Sequence, residues 1–202
     1  MKMAAIISAL ISPVVVHGAD FMGIEIGAKF DLPECQADRA RYSSGYAFDM
    51  DQPVRPCWQH SILKGKPGDY LDTEGSFKVD FVADGSKRPA GVRANSTSLV
   101  VVNGVIEGVD AGTAGLEYQD ALLRALQDKF GKPSSLKEDV MENRMGASFS
   151  SHEAVWKLPA FEVNFSGMVN RLDFGYISVF TPRALQFTKD ELERKKKAAP
   201  SF

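Results

Sequence analysis

The alternation of apolar and polar positions predicts a strand followed by a β-hairpin near the middle of the chain. Residues 77–83 place an apolar side chain at every second position, which is the period of a half-buried strand. Two largely apolar segments, 98–102 and 105–109, flank Asn103-Gly104, a pair that tolerates the positive φ angles of a type I′ turn. We therefore expect three consecutive strands here, the last two joined by a two-residue turn.

A change to a helical period follows directly and predicts one amphipathic helix over residues 113–130. Leu122 and Leu126 fall on one side of this helix, four positions apart. Gly131 followed by Pro133 provides the stop, because glycine favours the left-handed end of a helix and proline cannot continue it. The apolar side of this helix is expected to pack on a sheet.

Three further strands and a short terminal helix are predicted after a polar connection at residues 134–144. Apolar residues alternate in 153–158 and in 161–166, whereas 174–181 carries apolar residues on both faces, which is typical of a more central strand. Residues 188–191, Thr-Lys-Asp-Glu, match a capping box. This match indicates that a short charged helix begins at the cap.

Together these elements predict an α+β fold, with an antiparallel sheet of about five to six strands packed by one amphipathic helix. This core domain spans residues 75–182, and a charged helix or tail follows over 183–202. Residues 19–74 are rich in Pro, Gly, Asp and Ser, which predicts a loop-rich region. The remaining segment, residues 1–18, has the pattern of a targeting sequence.

That first segment is interpreted as a secretory signal peptide. Lys2 precedes an apolar stretch over residues 3–16, which is shorter than the about 20 residues that a membrane-spanning helix needs. Small residues near its end allow cleavage after Gly18 or after Ala19. We therefore expect a periplasmic or secreted protein without a stable membrane span.

Export changes the interpretation of the two cysteines. Cys35 and Cys57 are the only ones in the chain, and an even number in an oxidising compartment predicts a disulfide bond. The alternative is a metal site or a reactive thiol, since His60 follows Cys57 by three residues. A structural zinc site needs four ligands, and beyond the signal segment only His60 and His152 could join the cysteines. The disulfide is the preferred prediction, with no metal and no cofactor.

Composition and charge narrow the function classes. Apolar residues make up 44% and charged residues 25% of the 202 residues, as in folded globular proteins. Twenty-four basic residues against 26 acidic ones give a net charge of −2, without the excess positive charge that phosphate binding requires. Nucleic acid is therefore not an expected partner.

The residues that could carry catalysis lie in the loop-rich region. The chain has neither the Gly-x-Ser-x-Gly turn of serine hydrolases nor a Gly-Lys-Ser/Thr phosphate loop. Two pairs of carboxylates, Asp49 with Asp51 and Asp69 with Asp72, are close in sequence, as paired acids would be. With His60 they define an alternative function, a small envelope hydrolase; turn formation and solubility also explain the carboxylates.

Aromatic residues of the same region predict a binding surface, because aromatic side chains are enriched at protein interfaces. The equally weighted alternative is that they form a small cluster around the disulfide. The preferred function is a non-enzymatic protein that binds another envelope or secreted protein, with an inhibitor or immunity protein as a special case. The candidate surface consists of Tyr42, Tyr46, Phe48, Trp58, His60 and Tyr70.

The order of elements resembles known exported proteins. A hairpin at Asn103-Gly104, a helix ending in Lys-Phe-Gly-Lys-Pro at 129–133 and a meander containing Trp156 resemble small exported bacterial proteins of uncharacterised function. Residues 75–181 are also similar to helix-on-antiparallel-sheet modules of β-lactamase-inhibitor-like and outer-membrane-assembly lipoproteins. The hairpin precedes the helix here and a lipidation cysteine is absent, so the resemblance implies a fold and not a function.

Overall fold

A computed structural model describes residues 20–38, 47–48, 56–60, 68–142 and 146–198. Within these residues the chain forms one eight-stranded sheet, two two-stranded sheets and two α-helices. The small sheets pair β1 (Asp20–Phe21) with β2 (Ile24–Glu25) and β3 (Ala37–Asp38) with β4 (Ala47–Phe48). The main sheet contains β5 (Cys57–Gln59), β6 (Phe77–Val82), β7 (Val92–Val102), β8 (Val105–Thr113), β9 (Ser135–Glu142), β10 (Ser148–Lys157), β11 (Glu162–Ser166) and β12 (Gly175–Phe180). The helices are α1 (Gln119–Phe130) and α2 (Pro182–Ala198).

The main sheet is built from two antiparallel meanders of four strands. Its order is β5-β6-β7-β8-β12-β11-β10-β9, so β8 and β12, the last strands of the two meanders, are neighbours at the centre. A 3-10 turn (Gly115–Glu117) and α1 lead the chain from the centre to the far edge, where β9 starts the second meander. The predicted α+β fold with an antiparallel sheet is therefore confirmed.

The number of strands is higher than the predicted five to six, because two edge strands were missed. The three-residue β5 lies among prolines and has too few residues to display a period. β9 occupies the segment interpreted as a polar connection, and its residues 135–140 are exposed on both faces. A strand that buries neither face lacks the apolar alternation by which strands are recognised.

The terminal helix begins earlier than predicted. α2 starts at Pro182, so Thr188, the expected cap, lies inside the helix. The cap is Thr181, whose Oγ1 accepts a hydrogen bond from the Ala184 N–H at 3.2 Å. A Thr-Pro pair explains this start, since threonine caps helices well and proline at the first helical position loses no hydrogen bond.

The predicted hairpin and the predicted end of α1 are confirmed. Asn103 and Gly104 have φ angles of 51° and 73°, both positive as the two-residue turn requires. α1 ends at Phe130, and the N–H of Gly131 donates to the Gln127 carbonyl at 2.8 Å. These local signals depend on a few adjacent residues and are insensitive to the rest of the fold.

One face of the main sheet carries the main hydrophobic core, and we call it the closed face. α1 covers part of it through Leu122 and Leu126, which are 1% and 2% exposed. Residues 20–38, which we call the N-terminal segment, cover another part through residues 21–30, so the loop-rich region supplies core side chains. The apolar residues that the N-terminal segment contributes are Phe21, Met22, Ile24, Ile26 and Phe30.

The predicted domain boundary at residue 74 stays a prediction. The predicted signal peptide, residues 1–18, lies outside the described residues.

The disulfide between Cys35 and Cys57 is present, as predicted. It joins the N-terminal segment to β5, the first strand of the sheet. Beside it, the Cys35 N–H donates to the Trp58 carbonyl at 2.8 Å and the Trp58 N–H donates to the Pro33 carbonyl at 2.9 Å. This edge of the sheet is therefore covered by the chain itself.

In the part of the chain that the structure describes, no helix is long and apolar enough to cross a membrane.

Candidate binding site on the open face of the sheet

The described residues of the predicted binding surface differ in burial: Trp58 is buried in the core, whereas Tyr70 is exposed. Trp58 is 7% exposed and belongs to the main core. His60 contacts it edge-on, with 4.9 Å between the ring centroids. Tyr70 is 89% exposed and lines the same groove as His60. Of the others, Tyr42 and Tyr46 lie outside the described residues, and for Phe48 only its backbone position in β4 is described.

The loop carboxylates predicted as candidate acids are partly described. Asp49 and Asp51 lie outside the described residues. The Asp69 backbone carbonyl lies 3.0 Å from His60 Nε2. Asp72 shapes a turn, because its Oδ1 accepts the Glu74 N–H at 3.2 Å. The sequence interpretation of these carboxylates as turn-formers therefore has a structural counterpart at Asp72.

The second face of the sheet, which we call the open face, carries a row of polar side chains. The strand register places Asp80 beside Ser98, Ser98 beside Asp110, and Asp110 beside Ser178. Because neighbouring strands lie about 4.8 Å apart, these residues form a continuous polar row across β6, β7, β8 and β12. Asn164 on β11 continues the row.

A lysine joins this polar row. Lys78 Nζ lies 2.9 Å from Asp110 Oδ2, and the side chains are 47% and 33% exposed. An ion pair this open to water contributes about 0 to 1 kcal/mol to stability. Its main effect is to hold an ammonium group over the centre of the row.

A groove of about 570 Å³ lies over the polar row. Its space depends on Gly112, because a Cβ there would lie 2.3 Å from Ser96 Oγ and 3.3 Å from the Phe174 ring. Aromatic side chains form its walls. We call it the row groove; it is lined by Lys78, Asp80, Asn95, Ser96, Thr97, Ser98, Asp110, Gly112, Phe174, Tyr176, Ser178 and Phe180.

Tyr176 contributes a hydrogen-bond donor to the row groove. Its pKa is raised above the usual 10.0, first by burial and then by the carboxylates of Glu153 and Asp110. The same physical causes disfavour a phenolate. Because the pKa is raised, the phenol is protonated at neutral pH, and Tyr176 is 37% exposed.

The helix α2 crosses the open face alongside the polar row, over the same strands β7, β8 and β12. Ala184 is fully buried against Val100 and Phe180. Gly108 permits this close packing, since a Cβ there would lie 2.4 Å from Phe180 Cδ1. The helix thereby forms a fixed wall beside the polar row.

A buried carboxylate holds the beginning of α2. Glu107 is 5% exposed, and its Oε2 accepts a hydrogen bond from Thr181 Oγ1 at 2.5 Å. Its Oε1 lies 3.2 Å from Arg183 Nη1. A carboxylate at the N-terminus of a helix also interacts favourably with the helix dipole. Glu107 therefore fixes the position of the wall that α2 provides.

A second groove of about 660 Å³ is lined by residues of both α2 and β6. It shares Lys78 and Asp80 with the row groove, so the two form one continuous surface. We call it the helix groove; it is lined by His60, Tyr70, Leu71, Ser76, Phe77, Lys78, Val79, Asp80, Phe187, Thr188, Glu191, Leu192 and Lys195. Sequence reasoning found His60 and Tyr70 but missed the polar row.

Comparisons with known proteins assign this chain to no family. No protein-family model matches it, and neither a curated protein nor a solved structure matches it. The resemblance of residues 75–181 to exported proteins therefore stays a prediction. Among the described residues, no group of three or more His, Cys, Asp or Glu side chains could hold a metal ion.

Proposed function

We propose that this is an exported, non-enzymatic binding protein that captures another envelope or secreted protein on the open face of its sheet. The observation that carries the proposal is the continuous surface formed by the two grooves around Lys78 and Asp80. Strand pairing fixes the backbone positions from which these side chains project, so no backbone ordering is needed on binding. An inhibitor or immunity protein is a special case of this function.

The charge of the row groove favours a basic segment of the partner. Its lining contains two carboxylates, those of Asp80 and Asp110, and one ammonium group, that of Lys78. Glu153 is close enough to raise the pKa of Tyr176 and adds negative potential at the rim. An arginine or lysine side chain of the partner would find carboxylate and hydroxyl acceptors along the row, and opposite charges across an interface favour recognition.

Exposed apolar side chains around the helix groove supply a second type of contact. Tyr70 is 89% exposed and Leu192 is 51% exposed, and both line this groove. Large side chains that are partly exposed beside polar groups are typical anchors of protein interfaces. The proposed partner therefore binds with a basic side chain in the row groove and an apolar side chain in the helix groove.

Export is part of the proposal and rests on the signal-peptide pattern together with the disulfide. A disulfide persists in oxidising compartments and is rare where thiols are kept reduced. N-terminal sequencing of the protein from fractionated cells should find a periplasmic or secreted chain that begins at Ala19 or Asp20. A cytosolic chain that retains Met1 would contradict export.

Binding is tested by reversing charge on the open face. Exported proteins cross-linked to the chain supply the partner, and calorimetry then measures its affinity for wild type and for Asp110→Lys. We expect at least about a tenfold loss, since a like charge opposes the basic segment. Asp128→Lys, an exposed residue of α1, is the matched control and should bind as wild type does. Equal affinity of both variants would contradict the proposed site.

A small envelope hydrolase is the second candidate. The observation that favours it is the position of His60 in the helix groove, beside Tyr70 and 3.0 Å from the Asp69 carbonyl. A histidine in a groove is suited to general base catalysis. Screening against ester, phosphate and peptidoglycan substrates tests this function, and any activity found must be lost in His60→Ala for the candidate to survive.

A further inference from the structure

The two edges of the main sheet differ in whether another segment of the described chain covers the edge strand. At the β5 edge, Pro33 and Cys35 hydrogen-bond to Trp58 and cover the strand. At the other edge, β9 pairs with β10, and no strand among the described residues pairs with its outer side. β9 is eight residues long. A long edge strand is a template for pairing with another chain.

The register of β9 identifies which backbone groups point to the open edge. Glu138 lies opposite His152, and the His152 carbonyl accepts the Gly167 N–H on the opposite side of β10 at 2.8 Å. In antiparallel strands, hydrogen-bonded and non-hydrogen-bonded pairs alternate, so Glu138 and His152 form a non-hydrogen-bonded pair. The N–H and carbonyl groups of Glu138, and by alternation those of Leu136 and Val140, therefore point away from the sheet.

The side chains of β9 also divide by this alternation. Leu136 and Val140 are 51% and 66% exposed, and they lie on the closed-face side, where Leu136 is paired with the buried Ala154. Lys137 and Asp139 lie on the other side of the strand and are exposed. Leu136 and Val140 thus lie two residues before and after Glu138. The oppositely charged Lys137 and Asp139 lie one residue before and after it.

We propose that β9 pairs antiparallel with β9 of a second copy of this chain, in the register centred on Glu138. In this register Leu136 faces Val140 of the second copy, and Lys137 faces Asp139 of the second copy. Three hydrogen-bonded pairs exchange about two bonds each, and the Lys-Asp pairs occupy the closer, non-hydrogen-bonded positions. The two sheets join into one continuous sheet.

Charge selects this register over its neighbours. Centring the pair on Asp139 would place that carboxylate against its own copy, and centring it on Lys137 would do the same with two ammonium groups. Both shifted registers lose the two Lys-Asp pairs. The proposed register retains them and places only Glu138 against Glu138, a like-charge contact that is mildly destabilising.

Sedimentation velocity of the exported protein over a range of concentrations tests the proposal. We expect the apparent mass to double as the concentration rises. Val140→Pro should remain monomeric, because it removes an N–H that points to the open edge and leaves the bonds to β10 intact. Circular dichroism verifies that this variant is folded. A protein that is monomeric throughout, with charged residues protecting its edge, would overturn the proposal.

Charge variants test the register itself without a proline. Lys137→Asp should weaken the dimer, and combining it with Asp139→Lys should restore it, since each pair again has opposite charges. Glu138→Gln should strengthen the dimer by up to about fivefold, because it removes the like-charge contact. Glu117→Gln, an exposed residue of the 3-10 turn, is the matched control and should have no effect. A dimer that these edge substitutions leave unchanged uses another surface and would also overturn the proposal.

Discussion

The two faces of the main sheet are formed by the same strands but have opposite chemistry. On the closed face, buried apolar side chains pack beneath α1 and the N-terminal segment. On the open face, the direct sequence neighbours of those residues form a polar row under a groove. The neighbouring pairs, with the closed-face residue first, are Phe81 and Asp80, Leu99 and Ser98, Val109 and Asp110, and Ile177 and Ser178. The closed face therefore holds the main core, whereas the open face, outside the part that α2 covers, presents polar side chains in a groove.

The largest effect is expected from a substitution on the closed face. Trp156 is 1% exposed, and its Nε1 donates to the Gly131 carbonyl at 2.7 Å. Trp156→Ala should lower the free energy of unfolding by about 3 to 5 kcal/mol, through a cavity and a lost hydrogen bond. Urea denaturation measures this loss. Tyr176→Ala on the open face is the comparison and should change stability by less than about 1 kcal/mol; similar losses in both variants would contradict the division between the faces.

The next largest effect concerns the disulfide bond that links the N-terminal segment to β5. The disulfide links residues separated by 22 positions. Replacing both cysteines with alanine should cost about 3 kcal/mol, because the unfolded chain gains freedom. Denaturation of the double variant and of reduced wild type should give the same loss. A double variant as stable as the oxidised protein would show that packing alone holds the segment.

A smaller effect is expected at the junction of α2 with the open face. Glu107→Ala leaves the Thr181 hydroxyl without its acceptor and should cost about 1 to 3 kcal/mol. Glu107→Gln retains an acceptor oxygen and should cost less. Urea denaturation compares the two variants. An equal loss in both would assign the effect to the negative charge of Glu107 and not to the hydrogen bond.

The smallest effect is the titration of Tyr176. Its folded-state pKa is raised above 10.0 by burial and by Glu153 and Asp110, so the neutral phenol is favoured in the folded protein. The associated stability is present below pH 10 and is lost as the pH rises through the folded pKa. Phenolate absorbance of wild type minus that of Tyr176→Phe measures the midpoint. Glu153→Gln should move the midpoint down toward 10; a wild-type midpoint at or below 10 would contradict the assignment.

Local signals predicted much of the fold. The turn at Asn103-Gly104 and the end of α1 before Gly131 depend on residues adjacent in sequence, and both are confirmed. The pairing of Cys35 with Cys57 followed from their number. β9 escaped prediction because exposure on both faces removes the period of two. The capping-box match at Thr188 predicted a later start of α2 than the observed cap at Thr181.

The candidate site was harder to predict than the fold. The alternation in β6 already placed Lys78 and Asp80 on a polar face. Their alignment with Asp110 and Ser178 depends on the register of four strands and on the central pairing of β8 with β12, which are far apart in sequence. Aromatic residues of the loop-rich region were therefore the only surface that the sequence offered.

Site-specific photo-cross-linking in living cells tests the proposed binding face most directly. A photoreactive phenylalanine analogue at Tyr176 probes the open face, and the same analogue at Arg124, an exposed residue of α1, is the matched control. We predict a covalent adduct with one exported protein from position 176 and none from position 124. An adduct from position 124 without one from position 176 would contradict the account.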